Sequence, residues 1–278
     1  MGMIFDVVRN SYVDGPGIRT AVFFKGCNLS CAWCHNPESQ KTGQEMLFYR
    51  RLCVGCGKCR EKCTFSGIQN LAQCRLCGEC ALYCPRNARK ICGWETTAEE
   101  VFRVIRKDKD FYRDCGGVTF SGGECMLQLD FLTELLTLCK KDNISTAVDT
   151  AGNVPYSSFA RILPLTDLFL YDIKIWDEAK HRQYTGVSNQ LILDNLSRLL
   201  NSGARVLIRI PVLKGINDSA EEAEQIKKYL ASLPPVLGVE LLPYHAMGES
   251  KYEALGRTPR MFSPPGEEQL EMLRGIFR

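Results

Sequence analysis

The chain has 278 residues, 45% of them hydrophobic, with 35 Lys and Arg against 32 Asp and Glu and a net charge of +3. That length suits one substantial domain and a small second one, and so slight a basic excess argues against a nucleic-acid-binding stripe. No apolar run approaches the roughly 20 residues of a membrane-spanning helix, and "MGMIFDVVRNSY" lacks the pattern of a secretory leader, so a cytoplasmic protein, off the membrane, is expected. Among the 278 residues are fifteen cysteines. A reducing compartment disfavours disulfides and an odd count leaves one thiol over, so ligation of metal or cluster is the default reading.

In chain order, "DGPG" (14–17) reads as a tight turn. "IRTAVFFKG" (18–26) reads as a strand that runs straight into Cys27, Cys31 and Cys34. Residues 47–93, rich in Cys, Gly and Arg, carry no long periodic segment and read as an insertion folded around ligands. From residue 97 strands and helices alternate. Helices are expected at 97–108, with Thr96 or Thr97 as N-cap, at 129–141, 154–163, 189–203, 219–233 and 267–277. Strands are expected at 117–124, 144–152, 168–176, 204–212 and 236–245. With the first strand that makes six, so the fold expected is α/β, an open, partial (β/α)6 barrel, two units short of the closed eight-fold form. The domains would be a core half at 1–46, an insert at 47–93 and the remaining core at 94–278. Parallel strands collect functional groups at their C-terminal ends. Cys27, "SGGE" (121–124), Asp149, Thr150, Asp172, Lys174, Arg209 and His245 all fall there, which points to an enzyme.

For Cys27, Cys31 and Cys34 at C-x3-C-x2-C spacing, zinc would need a fourth ligand such as His35, a neighbour poorly placed to close a tetrahedron. "CAWCH" also fits covalent haem attachment, which usually follows export. A disulfide leaves a thiol over. The remaining reading is a [4Fe–4S] cluster on three thiolates, with one iron open to a small molecule. Downstream, "CVGCGKCREKC" and "CRLCGECALYCP" repeat C-x2-C-x2-C-x3-C, the run of two-cluster ferredoxins, in which the fourth Cys serves the other cluster. One cluster would use Cys53, Cys56, Cys59 and Cys84, the other Cys63, Cys74, Cys77 and Cys80, with zinc as the alternative. Pro85 follows this pattern; Thr64 departs from it. Both clusters would be closed and would carry electrons, although a structural or docking role for the insert is the other reading.

"DGPGIRTAVFFKGCNLSCAWCHNPES" (14–39) resembles the N-terminal motif of the radical S-adenosylmethionine (SAM) enzymes that activate glycyl-radical enzymes, the pyruvate formate-lyase activating enzyme-like family. "SGGE", "DTAG" (149–152), "LYDIK" (170–174), "GVSN" (186–189), "RIPV" (209–212) and "LLPYHAMGESKY" (241–252) follow in the family's order. The resemblance implies three [4Fe–4S] clusters and SAM as cofactors, cleavage of SAM to a 5′-deoxyadenosyl radical, and hydrogen abstraction from a glycine Cα of a partner enzyme. It implies SAM contacts from Gly122, Gly123, Glu124, Asp149, Lys174 and His245, with Trp33 near the adenine or simply in the core. A monovalent cation is implied at Asp149, Thr150 and Asp172, although Lys174 would equally separate two carboxylates at neighbouring strand ends. Asp14 is implied near the partner's glycyl loop. Ferredoxin or flavodoxin is the expected electron donor and monomer the expected state. Cys139 and Cys125 read as small core residues and His181 as a surface helix residue. The rivals are a radical-SAM enzyme acting on some other substrate and a ferredoxin-type electron carrier.

Overall fold

The structure is a computed structural model that describes residues 1–68 and 73–278, so the expected 47–93 insert is described except for residues 69–72. Its strands are β1 (Gly2–Ser11), β2 (Arg19–Phe24), β3 (Glu45–Phe48), β4 (Arg89–Cys92), β5 (Trp94–Thr96), β6 (Gly117–Gly122), β7 (Thr146–Thr150), β8 (Leu168–Asp172), β9 (Val206–Val212) and β10 (Gly238–Pro243). Eight of them form one sheet in the order β10-β9-β8-β7-β6-β2-β1-β5. The six expected strands are its parallel ones, in register from Arg19 opposite Gly117 to Pro243 opposite Val212. β1 was not expected. It pairs antiparallel with both β2 and β5, and its outer half, residues 6–10, is largely exposed, so it carries little apolar signal.

The helices are α1 (Lys58–Lys62), α2 (Glu79–Leu82), α3 (Ala98–Arg106), α4 (Lys109–Tyr112), α5 (Leu129–Lys141), α6 (Tyr156–Ile162), α7 (Glu178–Thr185), α8 (Gln190–Asn201), α9 (Ala220–Ala231), α10 (Glu249–Ala254) and α11 (Glu267–Phe277). Thr97 caps α3 in a full capping box with Glu100. The apolar stripe of α5 buries Phe131, Leu132, Leu135, Leu136 and Cys139. Strand side chains alternate between faces. Val118, Phe120, Val148, Phe169, Tyr171, Ile208 and Ile210 join the main core with the helices. On the opposite face Ala147, Leu168 and Leu170 form a small apolar floor, beside the buried Arg19, Thr119, Ser121 and Arg209. Arg19 closes that face at the strands' N-terminal ends, donating to Thr119 Oγ1 and to the Val118 carbonyl, both at 2.7 Å; burial lowers its pKa to about 10. Among the described residues no helix is long and apolar enough to cross a membrane.

Segment 49–88 leaves and rejoins the body through β3 and β4, an antiparallel pair with Glu45 opposite Cys92 and Phe48 opposite Arg89. Leu47 and Cys92 pack with Phe5 and Ala254. Lys25, fully buried, reaches Glu45 at 3.3 Å and Arg257 reaches it at 2.7 Å. These strands are only four residues long, too short to register as periodic sequence.

Candidate active site

The Cys27–Cys34 loop leaves β2 and is held from three sides. Against β6, Gly123 N donates to the Phe24 carbonyl at 2.9 Å and Glu124 N to that of Gly26 at 2.8 Å. A Cβ on Gly122 would lie 2.3 Å from Phe24 N, and one on Gly123 would lie 2.2 Å from the Gly26 oxygen, so the glycine pair is required for the approach itself. Against α7, Ser30 N and Ala32 N donate to the Thr185 and Tyr184 carbonyls, each at 2.8 Å. Gly186, left-handed at φ 84°, ends that helix, and a Cβ there would meet Ser30 Oγ at 2.5 Å. Against α10, Lys251 donates to Asn36 Oδ1 at 2.6 Å and Tyr252 to the Cys31 carbonyl at 3.3 Å. Glycines and helix ends thus do locally what the quoted motifs SGGE, GVSN and LLPYHAMGESKY spell out.

A cavity open to solvent lies at the C-terminal ends of the parallel strands. Cys27, Cys31, Cys34, Trp33, Gly122, Gly123, Asp149, Thr150, Asp172, Lys174 and His245 all line it, with Arg209, Ser121 and Tyr244. His35, which sequence supports less than His245 as a SAM contact, also lines it, edge-on to His245 with ring centroids 4.2 Å apart. Burial pushes its pKa down to about 4, helped by His245 and Lys251. Trp33, half-buried in the cavity wall, packs 6.2 Å from both Tyr184 and Phe262.

The charges balance within the protein. Lys174 donates to Asp172 at 2.7 Å. Although burial opposes its charge, Asp172 and Cys31 beside it raise its pKa. Ser121 donates to Asp149 at 2.6 Å, and Arg209 stands 3.9 Å from Asp149 and 2.9 Å from Glu240. Burial raises Asp149 to about 6 against the pull of Arg209. Lys174 and Arg209 thus each stand beside one of these two carboxylates. Burial pushes all three thiols up, Cys27 and Cys34 to about 12.

Two expected placements differ. Glu124 does not line the cavity. Its carboxylate turns inward, fully buried, and accepts from Thr150 Oγ1 at 2.8 Å, Ala151 N at 3.1 Å and Met126 N at 3.3 Å. It braces β6 against β7, and burial raises its pKa to about 7. His181 is on a helix but not on the surface. It is 1% exposed, and its Nδ1 lies 2.8 Å from the Val187 carbonyl. Asp14 was expected near the partner and not in the cavity wall; its carbonyl accepts from Thr119 Oγ1 at 2.6 Å, and next to it Arg209 donates to the Val13 carbonyl at 3.0 Å. The 12–17 turn is thereby tied to a residue of the cavity wall. Cys125, as expected, is a buried small residue, its thiol facing the Phe120 carbonyl at 3.6 Å.

Cys53, Cys56, Cys59 and Cys84 line one small cavity in the insert. Cys63, Cys74, Cys77 and Cys80 line another. Each set therefore takes three thiols from one repeat and the fourth from the other. Among the described residues no three His, Cys, Asp or Glu converge at single-ion distance; the thiols surround space instead of meeting at a point.

A mouth built on six parallel strand ends, with three clamped thiols facing a lysine–aspartate pair, defines an α/β radical-SAM type of enzyme core. The Radical SAM superfamily model matches residues 74–229, a stretch that begins after Cys34. The chain is 42% identical to a 4-hydroxyphenylacetate decarboxylase activating enzyme of Clostridioides difficile, over 99% of this chain and 93% of that one. It is 40% identical to a trans-4-hydroxy-L-proline dehydratase activating enzyme of the same organism, over 99% and 95%. A solved domain of a pyruvate-formate lyase-activating enzyme from Bacteroides vulgatus superposes with a TM-score of 0.51 at 31% identity, over 58% of this chain and 92% of that one. The chain belongs to the glycyl-radical enzyme activating enzymes of the radical SAM superfamily.

Proposed function

We propose that this chain binds SAM in the cavity at its strand ends and uses it to install a glycyl radical on one partner enzyme. The observation that carries the reading is the convergence of Cys27, Cys31 and Cys34 with Gly122, Gly123, Lys174 and His245 around one cavity. The donor set fits a three-thiolate [4Fe–4S] cluster: three half-buried cysteines share one wall, and among the described residues no fourth cysteine lines it. The chemistry the group supplies when bound is one-electron reduction of the SAM sulfonium, giving methionine and a 5′-deoxyadenosyl radical that takes hydrogen from a glycine Cα. The protein's part is placement. Lys174 offers a cation for the SAM carboxylate, and the carbonyls of Gly122 and Gly123 offer acceptors for its ammonium. Trp33, His35 and His245 offer flat walls for the nucleoside. Arg209, through Val13, joins the cavity to the turn holding Asp14, where we place the partner's glycyl loop. Asp149, Thr150 and Asp172 would hold a monovalent cation only when ligand draws Lys174 away.

The finer architecture is part of the same reading: the parallel strands as a partial (β/α)6 barrel, and residues 47–93 as a ferredoxin-like insert carrying two more [4Fe–4S] clusters. The four-thiol cavities support it. The insert has nine Lys or Arg against two Asp or Glu, a surface suited to an acidic donor such as ferredoxin or flavodoxin. The decisive experiment is anoxic reconstitution, reduction and addition of SAM. It should give 5′-deoxyadenosine and methionine, and with the right partner a glycyl radical signal by electron paramagnetic resonance. An electron carrier would give neither product. SAM cleavage that leaves no signal on any glycyl-radical enzyme would favour a different radical-SAM substrate.

A further inference from the structure

One side chain lines both inserted cavities. Arg89, on β4, borders the space framed by Cys53, Cys56, Cys59 and Cys84 and also that framed by Cys63, Cys74, Cys77 and Cys80. It is 6% exposed, and its Nε has no hydrogen-bond partner among the described residues. The insert's two carboxylates, Glu61 and Glu79, are both exposed. Among the described residues the one contact that offsets this burial is stacking: the guanidinium lies 4.2 Å from the centroid of Phe48, its cross-strand partner. A cation over a phenylalanine face recovers only part of what burial of an unpaired charge costs. A buried arginine with so little to neutralise it is explained if the two cavities it borders hold anions. A cubane on four thiolates is such an anion, and it gains a further negative charge on reduction.

We propose that Arg89 is the shared counter-ion of the two inserted clusters and holds the reduction potentials of both above the values they would otherwise have. This rests on the reading that both cavities carry [4Fe–4S] clusters. Each cluster takes one electron, and a fixed positive charge beside it favours the form with the extra electron. Backbone N–H groups add to this on each side, Ala88 N to Cys84 Sγ at 3.2 Å and Leu76 N to Cys74 Sγ at 3.4 Å, but they are local to one cluster. Arg89 alone acts on both. It is a tuning residue, and it touches neither SAM nor the partner.

The test is a redox titration of the full, reconstituted chain, followed by paramagnetic resonance of the reduced clusters. Iron and sulfide content of the parent comes first: well short of about twelve irons per chain sinks the two-cluster reading and this inference with it. With the full complement present, Arg89→Gln should lower the reduced-to-oxidised ratio of both inserted clusters at least tenfold at fixed potential, about 59 mV each. Arg89→Lys, which keeps the charge, should recover most of that shift. Lys90→Gln removes an exposed cation one residue away and should move neither potential comparably. The SAM-site cluster should be unchanged throughout. If Arg89→Gln leaves both potentials in place, shifts only one, or is matched by Lys90→Gln, the proposal is wrong. Loss of both inserted clusters in Arg89→Lys as well as in Arg89→Gln would mean that Arg89 only packs, and would also overturn it.

Discussion

Gly123→Ala tests whether the cysteine loop is placed by backbone contact. The new Cβ would sit 2.2 Å from the Gly26 oxygen and 3.1 Å from that of Ser39. An ordinary carbon contact is about 3.5 Å, so the segment entering Cys27 must retreat by about 1 Å. Neither neighbour is a flexible side-chain end; both are backbone. Overpacking of this kind costs about 1–3 kcal/mol, and weakening the Glu124 N to Gly26 O bond adds about 1 kcal/mol. Misplacing a reacting group by about 1 Å costs on the order of a hundredfold in rate. The assay is anoxic 5′-deoxyadenosine formation, normalised to iron, alongside thermal unfolding. Gly43→Ala, where nothing lies within 4 Å of the added carbon, is the control and should be silent. Parental SAM cleavage and stability in Gly123→Ala would refute the reasoning.

Glu124→Gln should cost about 1–2 kcal/mol of stability, because an amide cannot accept from Thr150, Ala151 and Met126 together, yet change SAM affinity less than threefold by equilibrium dialysis; a large affinity loss at unchanged stability would return Glu124 to the ligand. Lys174→Met leaves Asp172 without its partner and should weaken SAM at least tenfold while destabilising by about 2 kcal/mol, read by dialysis and denaturant titration. Gly186→Ala forces a left-handed alanine against Ser30 and should lose about 1–2 kcal/mol together with iron at the Cys27–Cys34 site, measured by iron assay. Thr97→Ala removes the α3 cap and should cost about 1 kcal/mol with no effect on SAM cleavage.

The parallel strands and their helices are legible because each carries its own period: the spacing predicts a helix over residues 129–141, where α5 lies. That the inserted cysteines would gather in two groups is suggested by spacing alone, because ligand spacing is local and repeats. What escaped depends on tertiary neighbours. Glu124 sits in a motif beside the cavity, but which way its carboxylate turns is decided by the Thr150 hydroxyl and the Ala151 amide on the next strand. His181 occurs in a polar stretch, and its burial and its bond to the Val187 carbonyl come from how α7 packs into the fold. Arg209 could be placed at the mouth from its strand, yet its bond to the Val13 carbonyl joins residues far apart in sequence. His35 follows the last cysteine of the motif, and its place in the site is set by His245, which arrives just after β10.

The most direct measurement is SAM turnover by reduced, anoxic protein with and without Cys31. The parent should release 5′-deoxyadenosine and methionine in equal amounts. Cys31→Ala, with its inserted clusters intact by iron count, should release neither above background. Equal turnover by the two proteins would contradict the account, because three thiols at that cavity would then not be what opens SAM to reduction.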